Sequence, residues 1–441
     1  MRALYFLGWL LATPLVLAYL LWRSRRQPAY RAHWGERFGL VRVKTGFSTP
    51  LIWIHAVSVG ETRAALPLVR AMAQRWPQAR FLITCMTPTG RETAQALFAP
   101  MLGPRFAQAY LPYDGYRAPA RFLEAWRPAV GVLMETELWP ALVQAAAARQ
   151  IPVALVNARL SARSAARGAW QRSLIVPAAQ RLAVVCAQSE ADAQRIQALT
   201  GRSVEAITGN LKFDTTPSVS RIEQGRAWQG RIGRPVVLAA STRDGEEPLL
   251  WSAWGRHAPD ASPHAPLLVI VPRHPQRFDA VIEAARIAGL QVARRAALED
   301  PQTDWSRVDL LVGDSMGEMD AWYATAAITI MGGSLRPFGS QNPIEPIAVG
   351  CPVLLGPSVF NFAEVAAGAL ACGAARAVTD GDEAIRLALT LLTDSAALSG
   401  MSKSGQAFAA IHRGATARTL AALAPALSGL TTTRPPAPEG H

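Results

Sequence analysis

The chain has 441 residues, half of them hydrophobic, and carries 45 lysines and arginines against 32 aspartates and glutamates, a formal charge of +13 with a pI near 10.4. That composition excludes a chain disordered throughout, gives room for two or three domains with their own cores, and points to anionic partners: nucleic acid, or an anionic membrane and anionic substrates. Four scattered cysteines, Cys85, Cys186, Cys351 and Cys372, show no zinc spacing, and a cytoplasmic site argues against disulfides.

The first predicted element is "ALYFLGWLLATPLVLAYLLW", residues 3–22, an uncharged stretch of 20. At helical rise it measures about 30 Å, the thickness of a bilayer core, so it can span a membrane or, kinked at Pro14, dip in without crossing. No small-residue cleavage site follows, which argues against a signal peptide. Arg23, Arg25 and Arg26 outweigh Arg2, and by the positive-inside rule the bulk of the protein is cytoplasmic. The stretch "RSRRQPAYRAHWGERFGLVRVK" would then lie against phosphate headgroups. With this segment present and no zinc finger or RNP sequence, the membrane surface rather than nucleic acid is the expected partner.

From about residue 50, short apolar runs alternate with amphipathic stretches rich in Ala, Leu and Arg. The runs are "LIWIHAVS", "RFLITCMT", "FAQAYLP", "AVGVLMETE", "IPVALVNA", "RLAVVCAQ" and "SVEAITGN". Such runs read as parallel strands buried on both faces, with crossover helices between them. Residues 214–234 break the rhythm and read as a linker. A second series follows: "PVVLAAST", "PLLVIVPRHP", "LQVARR", "VDLLVGDS", "AAITIMGGS" and "CPVLLGP". The expected fold is therefore α/β, two Rossmann-like doubly wound domains behind an amino-terminal anchor. Its parts are an anchor with basic flank (1–25), a first domain (26–213), a linker (214–234), a second domain (235–428) and a disordered tail (429–441).

In open α/β sheets ligands bind outside the carboxyl ends of the strands. Nearly all the unusual residues lie there, and two such rims facing across a hinge would make one interdomain cleft. No dinucleotide fingerprint, Walker A sequence or serine nucleophile elbow occurs. At the first strand end, "IHAVSVGET" puts Glu61 straight after a glycine, where a helix cap would also explain a carboxylate. "METELWP" puts Glu135 and Glu137 after an apolar run, pointing to one face if strand geometry continues, and two such carboxylates need a cationic partner. Lys212, in "TGNLKFD", and nearby arginines are the candidates; Lys212 stands out because only three of the 45 basic residues are lysines and a compact ammonium differs from a guanidinium.

Further along, Gly332, Gly333 and Ser334 would let backbone amides approach a phosphate. Asn342-Pro343-Ile344-Glu345 starts a helix with a capping Asn, Pro at the first position and a Glu able to accept from a ribose diol. Asp380 to Asp382, "DGD", reads as a helix cap rather than a metal site.

Taken together, "SVGET", "TPTG", "LPYD", "METELWP", "NARLSARS", "TGNLKFD", "PRHPQRF", "GDSMGE", "GGS…NPIEP" and "GPSVFNF", in this order, resemble the 3-deoxy-D-manno-octulosonic acid (Kdo) transferases of Gram-negative bacteria. The resemblance implies a GT-B fold and inverting transfer of Kdo from CMP-Kdo to the lipid A precursor lipid IVA at the inner face of the cytoplasmic membrane, with no metal and no cofactor. It implies that Glu61 is the general base, that Glu135 and Lys212 stabilise the transition state, and that CMP is held by Pro272 and Arg273, by Met316, Gly317 and Glu318, and by Asn342 to Glu345. This chain departs from the pattern at Ser340-Gln341, at Thr242 to Glu247 ("TRDGEE") and at Ala141. The competing readings are another GT-B nucleotide-sugar transferase or epimerase, and a membrane-tethered nucleotide-sugar binding module without catalysis.

Overall fold

The computed structural model describes residues 2–25, 27–41, 49–115, 117–161, 164, 169–214, 217–258 and 265–430. Part of the basic stretch after the anchor, residues 26 and 42–48, lies outside the described residues. So does the tail from 431; before it, Ser428–Leu430 form a short 3-10 turn. The chain divides into two compact units, one made of Met1–Thr215 with Arg413–His441, the other of Thr216–His412.

The first unit is built on a seven-stranded sheet: β1 (Leu51–His55), β2 (Arg80–Cys85), β3 (Phe106–Tyr110), β4 (Val130–Met134), β5 (Val153–Ala158), β6 (Val184–Ala187) and β7 (Ala206–Ile207), in the order β3-β2-β1-β4-β5-β6-β7. Every pairing is parallel. The apolar runs are continuous because both faces are covered. Ile52 and Ile54 enter one core cluster, while Leu51 and Trp53 enter another, as the two-residue period of a strand requires. Burying each of these side chains contributes about 1.5–3 kcal/mol.

The second unit repeats the plan with β8 (Val236–Thr242), β9 (Leu267–Pro272), β10 (Val292–Arg294), β11 (Leu310–Val312), β12 (Ile328–Met331), β13 (Val353–Leu355) and β14 (Ala375–Ala377), in the order β10-β11-β9-β8-β12-β13-β14. β14 is absent from the sequence reading. Its three residues, Ala-Arg-Ala, carry no branched apolar signal and form a strand only because β13 offers an edge.

Two boundaries are corrected. The expected linker 214–234 contains a 14-residue helix, Val219–Ile232, that belongs to the second unit. Its Gly225 lies so close to helix Met319–Thr325 that a Cβ would sit 2.1 Å from the Ala321 carbonyl oxygen, and Trp228 packs on Trp322 at 4.7 Å. Its buried positions, Gly225, Trp228 and Ile232, follow helical spacing, but one of the three is glycine, which carries no apolar signal. Helix Ala415–Leu427, expected in the second domain, instead buries Ala415, Leu423 and Leu427 in the core of the first unit beside Leu68 and Val69.

Ahead of the first sheet runs α1 (Arg2–Ser24). Among the described residues its segment Leu4–Ser24 is the one helix long and apolar enough to cross a membrane.

Candidate active site at the strand ends

In each sheet the first strand is flanked by both halves of the winding, which puts a switch point between β1 and β4 in the first unit and between β8 and β12 in the second. A doubly wound sheet opens a crevice there, at the carboxyl ends of its strands. Glu61 and Glu135 follow the two strands of the first point and Asn342 to Glu345 follow β12 at the second, while Lys212 follows β7, Arg273 follows β9 and Met316 to Glu318 follow β11.

After β1 the chain enters α2 (Val59–Arg75), capped by Ser58, whose Oγ accepts from the Glu61 N–H at 3.4 Å. Glu61 completes the cap in return: its Oε2 accepts from the Val57 N–H at 2.7 Å, and the Ser58 hydroxyl lies 3.4 Å from its Oε1. The helix-cap reading of this carboxylate is thus realised. Capping does not keep it an ordinary acid, however. Burial, followed by the charges of Glu135 and Glu137, pushes the Glu61 pKa up to about 8, against the pull of the Val57 N–H and Lys212.

Glu135 follows β4 with φ +53°, a left-handed conformation that costs a residue with a Cβ about 1–3 kcal/mol. That turn breaks strand alternation and corrects the expectation that Glu135 and Glu137 share one face by strand geometry. Glu135 Oε1 meets Lys212 Nζ at 2.8 Å, whereas Glu137 Oε2 accepts from Trp139 Nε1 at 2.8 Å and lies 3.8 Å from the buried His55 Nε2. Lys212 itself rides on a 3-10 turn, Leu211–Asp214, held by the buried Asn157, whose Oδ1 accepts from the Leu211 N–H at 2.9 Å. Asp214 then accepts from the Gly414 N–H at 2.7 Å, tying this turn to helix Ala415–Leu427. Three carboxylates and one ammonium therefore gather from three separate strand ends. Glu137 and His55 are the members that the sequence reading left without a role; the buried imidazole at the end of β1 was the available signal.

The second unit gathers cations instead. Pro272, buried, ends β9, and the Arg273 N–H donates to the Thr242 carbonyl at 3.0 Å. Arg273 and Glu345 both act electrostatically on the buried Tyr323 hydroxyl, which places the start of the Ile344–Val349 helix and the end of β9 near each other. Burial, then Arg243, Arg273 and Arg277, hold the His274 pKa below its ordinary value. Arg243, stacked 4.6 Å over Phe338, and His274 are residues the sequence reading missed. Arg277 is engaged by Glu247 and Asp244.

Several expectations are corrected here. The Gly333 amide faces no open space: it donates to Glu246 Oε2 at 2.7 Å, and the Leu335 and Arg243 amides donate to the same carboxylate. Ser334 is fully buried, its hydroxyl donating to the Met331 carbonyl and accepting from the Gly356 N–H. Gly332 serves close approach, since a Cβ there would lie 2.4 Å from the Ser241 carbonyl oxygen. These groups wire the turn and do not present a phosphate cradle.

Asn342 does cap, its Oδ1 accepting from the Ile344 N–H at 3.1 Å and its Nδ2 donating to Glu345 at 3.3 Å, but Pro343 stands at the cap position and Pro343 and Ile344 are buried. Met316 is half-exposed, and Gly317 has φ +78°. The Glu318 carboxylate is taken by Arg295 at 2.8 Å and Arg221 at 3.0 Å. Burial alone would raise its pKa, and hydrogen bonds from Arg295 and Ser315 outweigh that and hold it below the usual range. Among the described residues no three His, Cys, Asp or Glu side chains are arranged to hold a metal ion.

Two parallel seven-stranded sheets flanked by helices define a fold of the GT-B type. At this level of fold the chain is similar to the UDP-GlcNAc 2-epimerase of Neisseria meningitidis bound to UDP-GlcNAc, at 13% identity and a TM-score of 0.54 over 85% of this chain and 99% of that one. The family described as 3-deoxy-D-manno-octulosonic-acid transferase (kdotransferase) matches residues 32–215. The 3-deoxy-D-manno-octulosonic acid transferase of Bordetella pertussis is 41% identical over 91% of this chain and 95% of its own length, and that of Haemophilus influenzae 36% identical over 81% and 82%. The chain belongs to the Kdo transferase family.

Proposed function

We propose that the protein transfers Kdo from CMP-Kdo to the lipid A precursor lipid IVA, with inversion, at the cytoplasmic face of the inner membrane. The observation that carries this reading is the Glu61 carboxyl at the first switch point, with a pKa of about 8. A base poised near the working pH is what proton abstraction from a sugar hydroxyl requires. The hydroxyl oxygen of the acceptor attacks the anomeric carbon of Kdo, its proton passes to Glu61, and the bond from that carbon to the phosphate oxygen breaks with its electron pair leaving on CMP.

Glu135 and Lys212 serve as charges set beside the base. Lys212 lowers the Glu61 pKa and offers an ammonium to the Kdo carboxylate, while Glu135, held by Lys212, stabilises positive charge growing on the sugar ring. In the second unit Arg273 and Arg243 are suited to the leaving phosphate, with the Met316 to Glu318 and Asn342 to Glu345 segments holding the nucleoside. An electrostatic contact that strengthens in the transition state is worth on the order of 3 kcal/mol. A basic chain suits a donor with a phosphate and a carboxylate and an acceptor with two phosphates, and α1 keeps the enzyme beside a lipid that stays in the bilayer.

The test is mass spectrometry of lipid IVA after incubation with CMP-Kdo. Gain of Kdo with release of CMP is expected. Release of UDP from a UDP-sugar, or epimerisation of one, would put the chain with the other nucleotide-sugar enzymes, and an unchanged acceptor would leave a binding module.

A further inference from the structure

Helix α1 packs on the first unit over its Tyr5–Val16 part, and its carboxyl end is tied to the turn that follows it. Tyr5, Phe6, Trp9, Thr13, Val16, Leu20 and Ser24, at helical spacing, are partly or fully buried, while Leu4, Leu7, Leu11, Leu15 and Trp22 on the other side are 50–73% exposed. Near the amino end, the Tyr5 hydroxyl donates to Asp114 Oδ2 at 2.8 Å, and Trp9 stacks on Tyr113 at 5.7 Å. At the other end, Arg31 Nε donates to Ser24 Oγ at 3.1 Å. Tyr5 and Ser24 are about 29 Å apart along the helix.

A helix held this way cannot stand along the bilayer normal without carrying the exposed Arg117 and Arg121 toward hydrocarbon depth, where charged groups are costly. An orientation in the plane of one leaflet, with the leucine stripe immersed, avoids that cost.

Between the helix and the body runs a groove of about 250 Å³, with Phe6, Trp9, Thr13 and Val16 on the helix side and Phe38 and Tyr113 on the other. Two exposed arginines, Arg117 and Arg121, also line it. We propose that this groove holds one acyl chain of an anionic glycerophospholipid drawn from the bilayer, with the lipid phosphate on Arg117 and Arg121. Apolar walls that continue the immersed leucine face admit a hydrocarbon chain, and the two guanidiniums supply the complementary charge to a phosphodiester. The bound lipid fills the seam beside Asp114, whose buried carboxylate accepts from the Ala141 and Leu142 amides, just beyond the loop of Glu135 and Glu137.

The test uses the full chain in vesicles of phosphatidylethanolamine and phosphatidylglycerol, the latter with a diazirine at mid-chain, followed by irradiation and peptide mapping. Label on both walls, in the Phe6–Val16 peptide and in the peptides containing Phe38 or Tyr113, is expected. Thr13→Trp, which fills the groove, lowers label at Tyr113 at least fivefold and leaves the Leu4 and Leu11 label unchanged. Arg117→Gln with Arg121→Gln abolishes the preference for phosphatidylglycerol over a matched phosphatidylcholine probe. Label confined to the leucine stripe overturns the proposal, and so does displacement of the groove label by equimolar lipid IVA, which would give the groove to the acceptor. An amino-terminal tag is cut by protease from the same side as the body; cleavage only from the opposite side overturns the in-plane helix.

Discussion

The two sheets use one topological device and charge it oppositely. At the β1/β4 switch point three carboxylates crowd one lysine, and the result is a glutamate that ionises near pH 8. At the β8/β12 switch point the guanidiniums of Arg243, Arg273 and Arg277 gather near His274, and the buried carboxylates Glu246 and Glu247 hold the turn and Arg277. The contrast teaches that the fold supplies the place, while local charge decides whether that place handles protons or anions.

The sharpest way to break this contrast is Glu61→Gln. Loss of the base lowers transfer by about 100- to 10,000-fold with CMP binding unchanged, measured as turnover and by calorimetry; retained turnover would remove Glu61 as base. Lys212→Met comes next, with a fall of roughly 100- to 1,000-fold in kcat and a shift of the rising limb of the pH–rate profile above its wild-type midpoint near 8, because Lys212 pulls the Glu61 pKa down. Glu137→Gln moves the same limb the opposite way.

Arg273→Ala sharpens the comparison from the other unit. A decline in kcat/KM of about 10- to 100-fold, expressed in the donor KM with the pH profile unmoved, is the expected result; a moved profile would blur the division of labour. Glu246→Ala deprives three backbone amides of their acceptor and lowers stability by about 2–3 kcal/mol, read as a lower melting temperature of the second unit.

Stability against pH gives a further check. Glu61 has its folded pKa raised from 4.5 to about 8, so the folded state binds the extra proton between those values. Stability falls as pH rises across that window. The melting temperature of the wild type relative to Glu61→Gln should therefore decline from pH 5 to pH 8 and level off above.

Much of the fold was legible because parallel strands buried on both faces leave uninterrupted apolar runs, and seven such runs became seven strands in the first sheet. That Glu135 and Glu137 need a cation was legible, since a buried carboxylate at a strand end demands one, but the sequence offered Lys212 and nearby arginines alike, and only the fold pairs Glu135 with Lys212. The amide cradle at Gly333 was misread, because its acceptor, Glu246, lies 87 residues earlier and no local pattern announces it. The supposed linker was misread for a related reason: Gly225 is small because another helix touches it, and glycine in isolation signals a break.

By itself, then, the sequence determined most of the strands, the strand ends at which the charged residues gather, and which carboxylate begins α2, since these follow from periodicity, capping and charge within a few residues. Only the tertiary structure decided that Glu61 ionises near pH 8, that helix Ala415–Leu427 completes the first core, and that α1 lies along the body rather than away from it. Each of these depends on desolvation or contact between residues far apart in the chain, and both arise only when the chain closes on itself.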